Sequence, residues 1–307
     1  MVKERFVDLW QHIRLSISQA IDDDLQLVQH SPVSGGDINQ AYRLETSKST
    51  FFIKLNRAEL LEMFVAEANG LECMAATKTI KVPSVITSGE YSNQSFLVLE
   101  HLHLGGLQNI GKFAVELAEL HRCSNANFGF SSDNYIGSTP QSNQQSDNWL
   151  EFYAEQRIGF QLSMLSKKGA SSRLLEKGKA VQKNIAQFFD DYLPTPALIH
   201  GDLWQGNYGY MRGNSGQYSN AESHTGRPVI YDPACYFADH EAELAMLELF
   251  GNPGEVFFRE YHQVFPIDRG YPVRRTLYNL YHILNHVNLF GGGYENQAER
   301  MMDELLK

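Results

Sequence analysis

Apolar residues recur at helical spacing from the start of the chain. Phe6, Leu9, Trp10, Ile13, Ile17 and Ile21 share one face of a helix over residues 5–21. The acidic cluster Asp22–Asp24 closes it and reads as solvated. The period then changes. Tyr42–Thr46 and Phe51–Leu55 read as a hairpin joined by the polar turn Ser47–Thr50. A helix over about 57–76 follows, and Val82-Pro83 opens a further β stretch with strands at Ser84–Ser88 and Ser95–Leu99. From residue 111 the pattern is mainly helical. Phe113, Leu117, Leu120 and His121 mark one helix; Trp149–Leu165 and Leu174–Phe189 mark two more. Between them, residues 128–148 read as a polar loop. The short apolar runs Ala197–Ile199 and Val229–Tyr231 read as strands. Residues 212–227, rich in Gly and Ser, are longer than a hairpin needs and read as a surface loop. Helices at Glu241–Phe250, Val256–Val264, Arg274–Leu289 and Glu295–Lys307 complete the chain, with no internal repeat.

Strands therefore gather before residue 100 and helices after it, an α+β order. The length, 307 residues, allows one large domain or two lobes with a cleft. The expected division is a small N-lobe over 1–100, an antiparallel sheet with one main helix, and a larger, mostly helical C-lobe over 101–307. With 43% hydrophobic and 20% charged residues, the composition is that of a soluble globular protein. The formal charge of −10, with no dense run of Lys or Arg, argues against a nucleic-acid surface. An anionic ligand would have to be held by local devices: backbone N–H groups, one lysine, a metal. Cys73, Cys123 and Cys235 are sparse and never in a C-x-x-C pair, so neither a disulfide framework nor a zinc site is expected, and a reducing cytoplasm fits. Met1–Trp10 lacks the apolar core of a signal peptide, and no run approaches the ~18 apolar residues of a membrane span.

Chemistry concentrates in His200-Gly201-Asp202-Leu203-Trp204-Gln205-Gly206-Asn207, just after the run Ala197–Ile199. A further acid, Asp232, ends the run Val229–Tyr231. An Asp, an Asn five residues on and a second Asp at two strand ends suit phosphoryl transfer. One Asp takes the proton of a substrate hydroxyl; the Asn and the other Asp hold Mg²⁺ against nucleotide phosphates. His200 braces the loop. Upstream, Gly35-Gly36 lies between strand-like flanks and serves either as a hairpin turn or as a phosphate-covering loop. Lys54 sits inside Phe51-Phe52-Ile53-Lys54-Leu55, where a buried ammonium needs a partner. It is either an edge lysine facing water or a phosphate lysine paired to a glutamate. On the next helix, the neighbours of Glu67 at i±3 and i±4 are Phe64, Met63, Gly70 and Leu71, so Glu67 projects from the packed face and is the expected partner. The stretch from Glu100 to Leu102, before Gly105-Gly106, reads as an inter-lobe connector whose backbone would meet an adenine edge, or as an ordinary loop. Asn279, His282 and His286 share one helix face, either a satisfied core cluster or a wall of the substrate pocket.

Taken together, GGDINQAYRL, FFIK, FGF…DNYIGSTPQ, HGDLWQGN and YDPACYFADHEAELAM (231–246) resemble the fructosamine/ketosamine-3-kinase family. The resemblance runs from about Pro32 to Tyr294. It implies a two-lobed protein-kinase-like fold, close to that of aminoglycoside phosphotransferases, and ATP- and Mg²⁺-dependent phosphorylation of the sugar 3-hydroxyl of ketosamines, on free or protein-bound amines. The phosphorylated adduct is unstable and frees the amine. By the same resemblance Asp202 is the catalytic base, Asn207 and Asp232 are metal ligands, and Lys54 and Glu67 are the phosphate lysine and its partner. Trp204 would stack on the sugar or its amine-bearing arm. Where the family often has Gly-Asp-Arg-Glu, this chain has Ala238-Asp239-His240-Glu241. Asp239 and Glu241 are loop-bracing or substrate-facing candidates, and the arginine that would pair with them is missing. His286 also falls in family-like sequence.

Three other readings share these residues. The catalytic core alone suits a kinase of another small hydroxyl compound, an amino alcohol, sugar or aminoglycoside. A nucleotide-binding pseudokinase would bind without turnover, although Lys54, Asp202, Asn207 and Asp232 are all retained. A metal-dependent hydrolase would call for a tightly held transition metal.

Overall fold

The computed structural model describes residues 2–34, 38–212 and 226–307, with the side chains of residues 2–8 left out. Gly35, Gly36 and residues 213–225 of the 212–227 segment lie outside the described residues. The chain forms two compact units. The first takes residues 1–107 and 210–231, the second 108–209 and 232–307. The first unit thus runs past the boundary expected at residue 100 and takes back a later segment. The reason is backbone pairing: Ile230 N–H donates to Lys81 O at 3.0 Å, Gly226 N–H to Leu107 O at 2.8 Å, and Arg212 N–H to His103 O at 2.9 Å.

In the first unit, α1 (Val2–Ile21) is followed by an antiparallel sheet: β1 (Leu27–Val33), β2 (Gln40–Thr46), β3 (Thr50–Arg57), β4 (Val85–Tyr91) and β5 (Gln94–Glu100), in the order β1-β2-β3-β5-β4. The helix α2 (Leu61–Thr77) lies between β3 and β4 in sequence. Alternation along β3 sorts its side chains. Phe51, Ile53 and Leu55 join Leu9, Trp10, Ile13 and Ile17 of α1 in one apolar cluster. Phe52 and Lys54 therefore face the opposite side. The strand β1 had no strand signal in the sequence beyond its end. It is an edge strand with mostly exposed side chains and carries Pro32, which an edge tolerates because it loses no ladder bond there.

The second unit is mostly helical: α3 (Ile110–His121), α4 (Trp149–Phe152), a π-helical stretch (Tyr153–Gly159), α5 (Phe160–Lys167), α6 (Ser172–Lys183), α7 (His240–Leu249), α8 (Glu255–Val264), α9 (Tyr271–Phe290) and α10 (Gly293–Leu305). Side-chain caps set several starts: Asn109 for α3, Asn148 for α4, Ser171 for α6 and Asp239 for α7 each accept a first-turn N–H. The single helices expected over 149–165 and 174–189 are each divided. The first widens into the π stretch, and the second ends at Lys183 before a short 3₁₀ turn, Ile185–Phe188. The expected polar loop at 128–148 contains a hairpin, β6 (Asn134–Ile136) with β7 (Thr139–Gln141), and Asn134, Thr139, Gln141 and Asn143 in it are buried. At Asn134, Gln141 and Asn143 the polarity serves internal hydrogen bonds, while residues 131–133, Gln144, Gln145, Asp147 and Asn148 face water. The strands β8 (Ala197–Ile199) and β11 (Tyr236–Ala238) pair antiparallel, Ile199 opposite Tyr236. The chain passes between the units through β9 (Tyr208–Met211) and returns along β10 (Arg227–Ile230), which pairs with β9.

Candidate active site

In the first unit, Lys54 Nζ donates to Glu67 Oε1 at 2.7 Å, with the two side chains only 6% and 12% exposed. The alternation of β3 aims Lys54 away from the α1 cluster, and α2 supplies the carboxylate. A charge-assisted bond between such buried groups holds both side chains in one geometry. Glu100 ends β5, and its carboxylate accepts from Lys81 Nζ, Ser84 N and Ser84 Oγ, which holds its pKa below the usual value against the opposing effect of burial. The Glu100 N–H donates to Ser84 O at 2.9 Å, and Leu102 O accepts from Leu104 N at 3.1 Å.

In the second unit, the loop after β8 folds back on itself. Asn207 Nδ2 donates to the Asp202 carbonyl at 2.8 Å and approaches Asp202 Oδ2 at 3.3 Å. Asp202 N–H donates to His200 Nδ1 at 3.3 Å, so His200 braces the loop from inside, fully buried. Burial pushes the Asp202 carboxyl well above the ordinary carboxylate range. The negative charges of Glu243 and Asp232 add to the rise, and the Asn207 amide works against it. The influence of Asp232 places the two acids near one another. Asp232 itself has a left-handed backbone, φ 61°, a conformation that Asp adopts more readily than most residues. Two glycines are required by close approach. A Cβ at Gly201, whose φ is +82°, would lie 2.1 Å from Ala234 O. One at Gly206 would lie 2.4 Å from the Trp204 ring, so the indole folds directly over that residue.

The sequence left Glu243 unremarked. From α7 it accepts hydrogen bonds from the backbone N–H groups of His200, Gly201 (3.1 Å) and Leu203, and so holds the whole loop. Its own environment is dry: burial raises its pKa, while these donors favour the carboxylate. Beside it His121 Nε2 stands 3.6 Å from Glu243 Oε2, and both His121 and His240 bond the Tyr261 hydroxyl through Nδ1. Asp239 caps α7 and accepts from Glu241 N (3.0 Å), Tyr192 Oη (2.8 Å) and Tyr278 Oη. Glu241 is gripped by the guanidinium of Arg274 at 2.7 and 3.1 Å and by Asp268 N–H at 3.1 Å. Both acids are fully buried and brace the segment after β11. The arginine absent from the local motif is replaced by Arg274, contributed by α9.

Trp204 is 41% exposed. Its ring meets Phe250 at a centroid distance of 6.4 Å; Phe250 meets His286 at 5.1 Å; His286 in turn meets Phe290 and Tyr294 at 5.6 and 5.0 Å. His286 Nδ1 bonds the His282 carbonyl at 2.7 Å, which leaves Nε2 directed away from the helix backbone. Of the polar stripe on α9, His286 is half-buried while Asn279 and His282 are buried.

Burial lowers His121 and His282 to about 3 and His240 to about 4; for His282 the positive fields of His286 and Arg157 add to the effect. Unfolded, each titrates near 6.5. Their contribution to stability is complete above that pH and is lost as the pH falls toward the folded values, because only the unfolded chain takes up these protons. The raised carboxyls Asp202 and Glu243 act in the opposite sense, their contribution being lost as the pH rises. His282→Gln isolates one histidine. The cost of that substitution in urea unfolding is expected to be about 2 kcal/mol smaller at pH 5 than at pH 7. An equal cost at both pH values would contradict a neutral, buried His282.

Can the second unit hold a divalent cation? Asn207 spends its Nδ2 on Asp202, which turns its carbonyl oxygen outward from that bond. With Asp232 this makes two hard oxygen donors, the set Mg²⁺ accepts when phosphates and water complete its shell. Among the described residues no three His, Cys, Asp or Glu side chains gather into a metal cage.

An antiparallel first unit with a lysine–glutamate pair, and a helical second unit carrying an Asp–Asn loop, define a protein-kinase-like fold. Solved structures agree. The crystal structure assigned to fructosamine-3-kinase from Haemophilus somnus aligns with a TM-score of 0.83 at 25% identity, covering 96% of this chain and 97% of that one. An aminoglycoside phosphotransferase in complex with AMP-PNP and hygromycin B aligns with a TM-score of 0.62 at 14% identity, over 96% and 97% of the two chains, which speaks to fold alone. The family model described as fructosamine kinase matches residues 9–307, and the chain belongs to that family. Among its relatives, the "Probable ketoamine kinase" of Synechocystis is 43% identical over 301 residues, covering 97% of each chain. The chloroplastic protein-ribulosamine 3-kinase of Arabidopsis thaliana is 40% identical over 286 residues, covering 92% of this chain and 84% of its own.

Proposed function

We propose that this chain is an ATP-dependent kinase that phosphorylates the 3-hydroxyl of the sugar in ketosamines, the fructosamine- and ribulosamine-type products of glycation. The observation that carries the reading is the hydrogen-bonded Asp202–Asn207 loop in a chain that matches the fructosamine kinase family over residues 9–307. Asp202 is the base: its carboxylate orients the hydroxyl and accepts its proton as the oxygen bonds to the γ-phosphorus and the bond to the β-phosphate oxygen breaks, releasing ADP. Lys54, held by Glu67, takes nucleotide phosphate oxygens; the phosphate-covering part that the sequence suggests for Gly35-Gly36 falls outside the described residues. The connector at Glu100 and Leu102 meets the adenine. Asn207 and Asp232 hold Mg²⁺, which neutralises phosphate charge when bound. Phosphate is a better leaving group than hydroxide: once a proton leaves C1 to give the enaminol, phosphate departs from C3, the C–N bond becomes an imine, and water hydrolyses that imine to free the amine, so the outcome is deglycation. No helix among the described residues is long and apolar enough to cross a membrane. In this reading the sparse cysteines of the sequence suit a reducing cytoplasm.

In the same reading the half-open Trp204 ring, followed by Phe250 and His286, receives the sugar or its amine-bearing arm. Asp239 and Glu241 serve it indirectly, by bracing α7. Trp204→Ala is expected to raise KM for a ketosamine about tenfold or more, in line with an aromatic contact plus its buried area, and to leave KM for ATP within twofold. Steady-state kinetics with each substrate varied in turn measures both. Equal losses for the two substrates would remove Trp204 from the acceptor site.

A further inference from the structure

The family-like segment FGF…DNYIGSTPQ is too far along the chain from Asp202 and Asp232 to be assigned a role by spacing. In the structure it lies against the residues that follow Asp232. Gly129 and Phe237 exchange backbone hydrogen bonds at 2.9 and 2.8 Å. Gln141 Nε2 donates to Ala234 O at 3.0 Å, and Asn134 Nδ2 donates to Cys235 O at 2.8 Å. Ala234 N–H donates to His200 O at 2.9 Å. The chain leaving Asp232 is therefore held at successive peptide groups, on one side by the catalytic loop and on the other by two amide side chains.

Those amides have one consistent arrangement. Asn134 Oδ1 accepts from Gln141 Nε2 at 2.8 Å and from Asn143 Nδ2 at 2.9 Å, so its Nδ2 must face Cys235 O. Gln141 Oε1 accepts from the Tyr281 hydroxyl at 2.6 Å, so its Nε2 must face Ala234 O. Asn143 Oδ1 accepts from Arg157 Nη2 at 2.8 Å, and the Arg157 guanidinium lies 3.9 Å from the centre of the Tyr236 ring. Arg157 is fully buried and comes from the π-helical stretch, a helix irregularity that often marks a functional site. Turning any one amide would set donor against donor or acceptor against acceptor in a dry interior, which is costly. Such a cluster is more than the hairpin needs. It suits a neighbour that must keep an unfavourable backbone, and Asp232 has φ 61° followed by a proline.

We propose that Gln141 and Asn134 are positioning residues for Asp232: through the Ala234 and Cys235 carbonyls they fix the direction in which its carboxylate meets a divalent cation. This rests on the reading of Asp232 as a cation-holding residue. Residues behind metal ligands commonly change affinity by 10–100-fold when replaced, and here the backbone carries the effect in place of a direct bond.

The test is Mn²⁺ binding to the full chain with ADP present, followed by electron paramagnetic resonance, together with thermal melting without metal. Gln141→Met is expected to raise the Mn²⁺ Kd about tenfold or more. Tyr281→Phe frees only the far end of the Gln141 amide and is expected to raise it by a smaller factor. It decides the matter if the first variant does not fold. Asp232→Asn is the reference and should weaken Mn²⁺ at least as much as Gln141→Met. Variants that melt at lower temperature yet keep the wild-type Mn²⁺ Kd, while Asp232→Asn weakens it, would overturn the positioning role alone. An unchanged Kd in Asp232→Asn would overturn the reading of Asp232 and the proposal with it.

Discussion

Asp202→Asn is expected to lower kcat by roughly 10²–10⁴-fold, the usual worth of a positioned general base, while ADP binds within a factor of about two of wild type. The substitution keeps the size of the side chain and removes its basicity. It also leaves the main anchor of the loop in place, because Asn207 Nδ2 donates chiefly to the Asp202 backbone carbonyl, at 2.8 Å against 3.3 Å to the carboxylate. Glu243 continues to hold the His200 and Gly201 N–H groups. The loss is then one of proton acceptance and hydroxyl orientation, with the nucleotide site intact. Single-turnover rates and calorimetric ADP titration check the two halves. Turnover near the wild-type rate would remove Asp202 from the chemistry. Loss of ADP binding in parallel would show that the residue shapes the nucleotide site instead.

Arg274→Met is expected to destabilise the protein by about 3–5 kcal/mol, because removing one partner of a buried ion pair leaves the other uncompensated. Glu241 is fully buried and depends on Arg274 for two of its hydrogen bonds. Arg274 also bonds Asp268 at 2.7 Å and lies 3.9 Å from the centre of the Tyr192 ring. That ring's hydroxyl in turn bonds Asp239, the cap of α7. The damage therefore falls on the helix that carries Glu243 under the Asp202–Asn207 loop. The double variant Glu241→Met/Arg274→Met should recover most of the loss, since replacing both members of a buried pair by apolar groups is often close to neutral. Denaturant unfolding of the two variants measures this. A double variant no more stable than the single one would place the stabilisation in packing of the arginine stem, not in the ion pair.

How much of this could be seen in the sequence depends on the range of the cause. Lys54 and Glu67 meet for local reasons: period-two alternation turns Lys54 away from Phe51, Ile53 and Leu55, and helical spacing turns Glu67 out of its apolar neighbours. The Asp202–Asn207 loop is local as well, closed within six residues. Glu243 and Arg274 were not legible because their partners lie some 40 and 33 residues away, Arg274 on another helix, and each looks like an ordinary charge on an amphipathic face. The 128–148 segment misled for a related reason. Its Asn, Gln and Ser residues look solvated, yet Asn134, Gln141 and Asn143 spend their amides on each other and on the backbone of 132–143 and 234–235. One signal was available: a loop this rich in Asn and Gln also carried Tyr135, Ile136 and the Gly137 turn between strand-like residues. The strand β1 was missed because an exposed edge shows little alternation.

Transfer of the ATP γ-phosphate to the 3-hydroxyl of a ketosamine can be followed directly. The direct measurement is phosphorylation, by the full chain with Mg²⁺-ATP, of a matched series of fructosamines and ribulosamines, with the position of the phosphate in each product established by ³¹P–¹H correlation. The expected result is phosphate on the 3-oxygen in every accepted substrate, followed by release of the amine. Phosphate at another hydroxyl, or ATP turnover with equal transfer to unrelated amino alcohols and aminoglycosides, would contradict it.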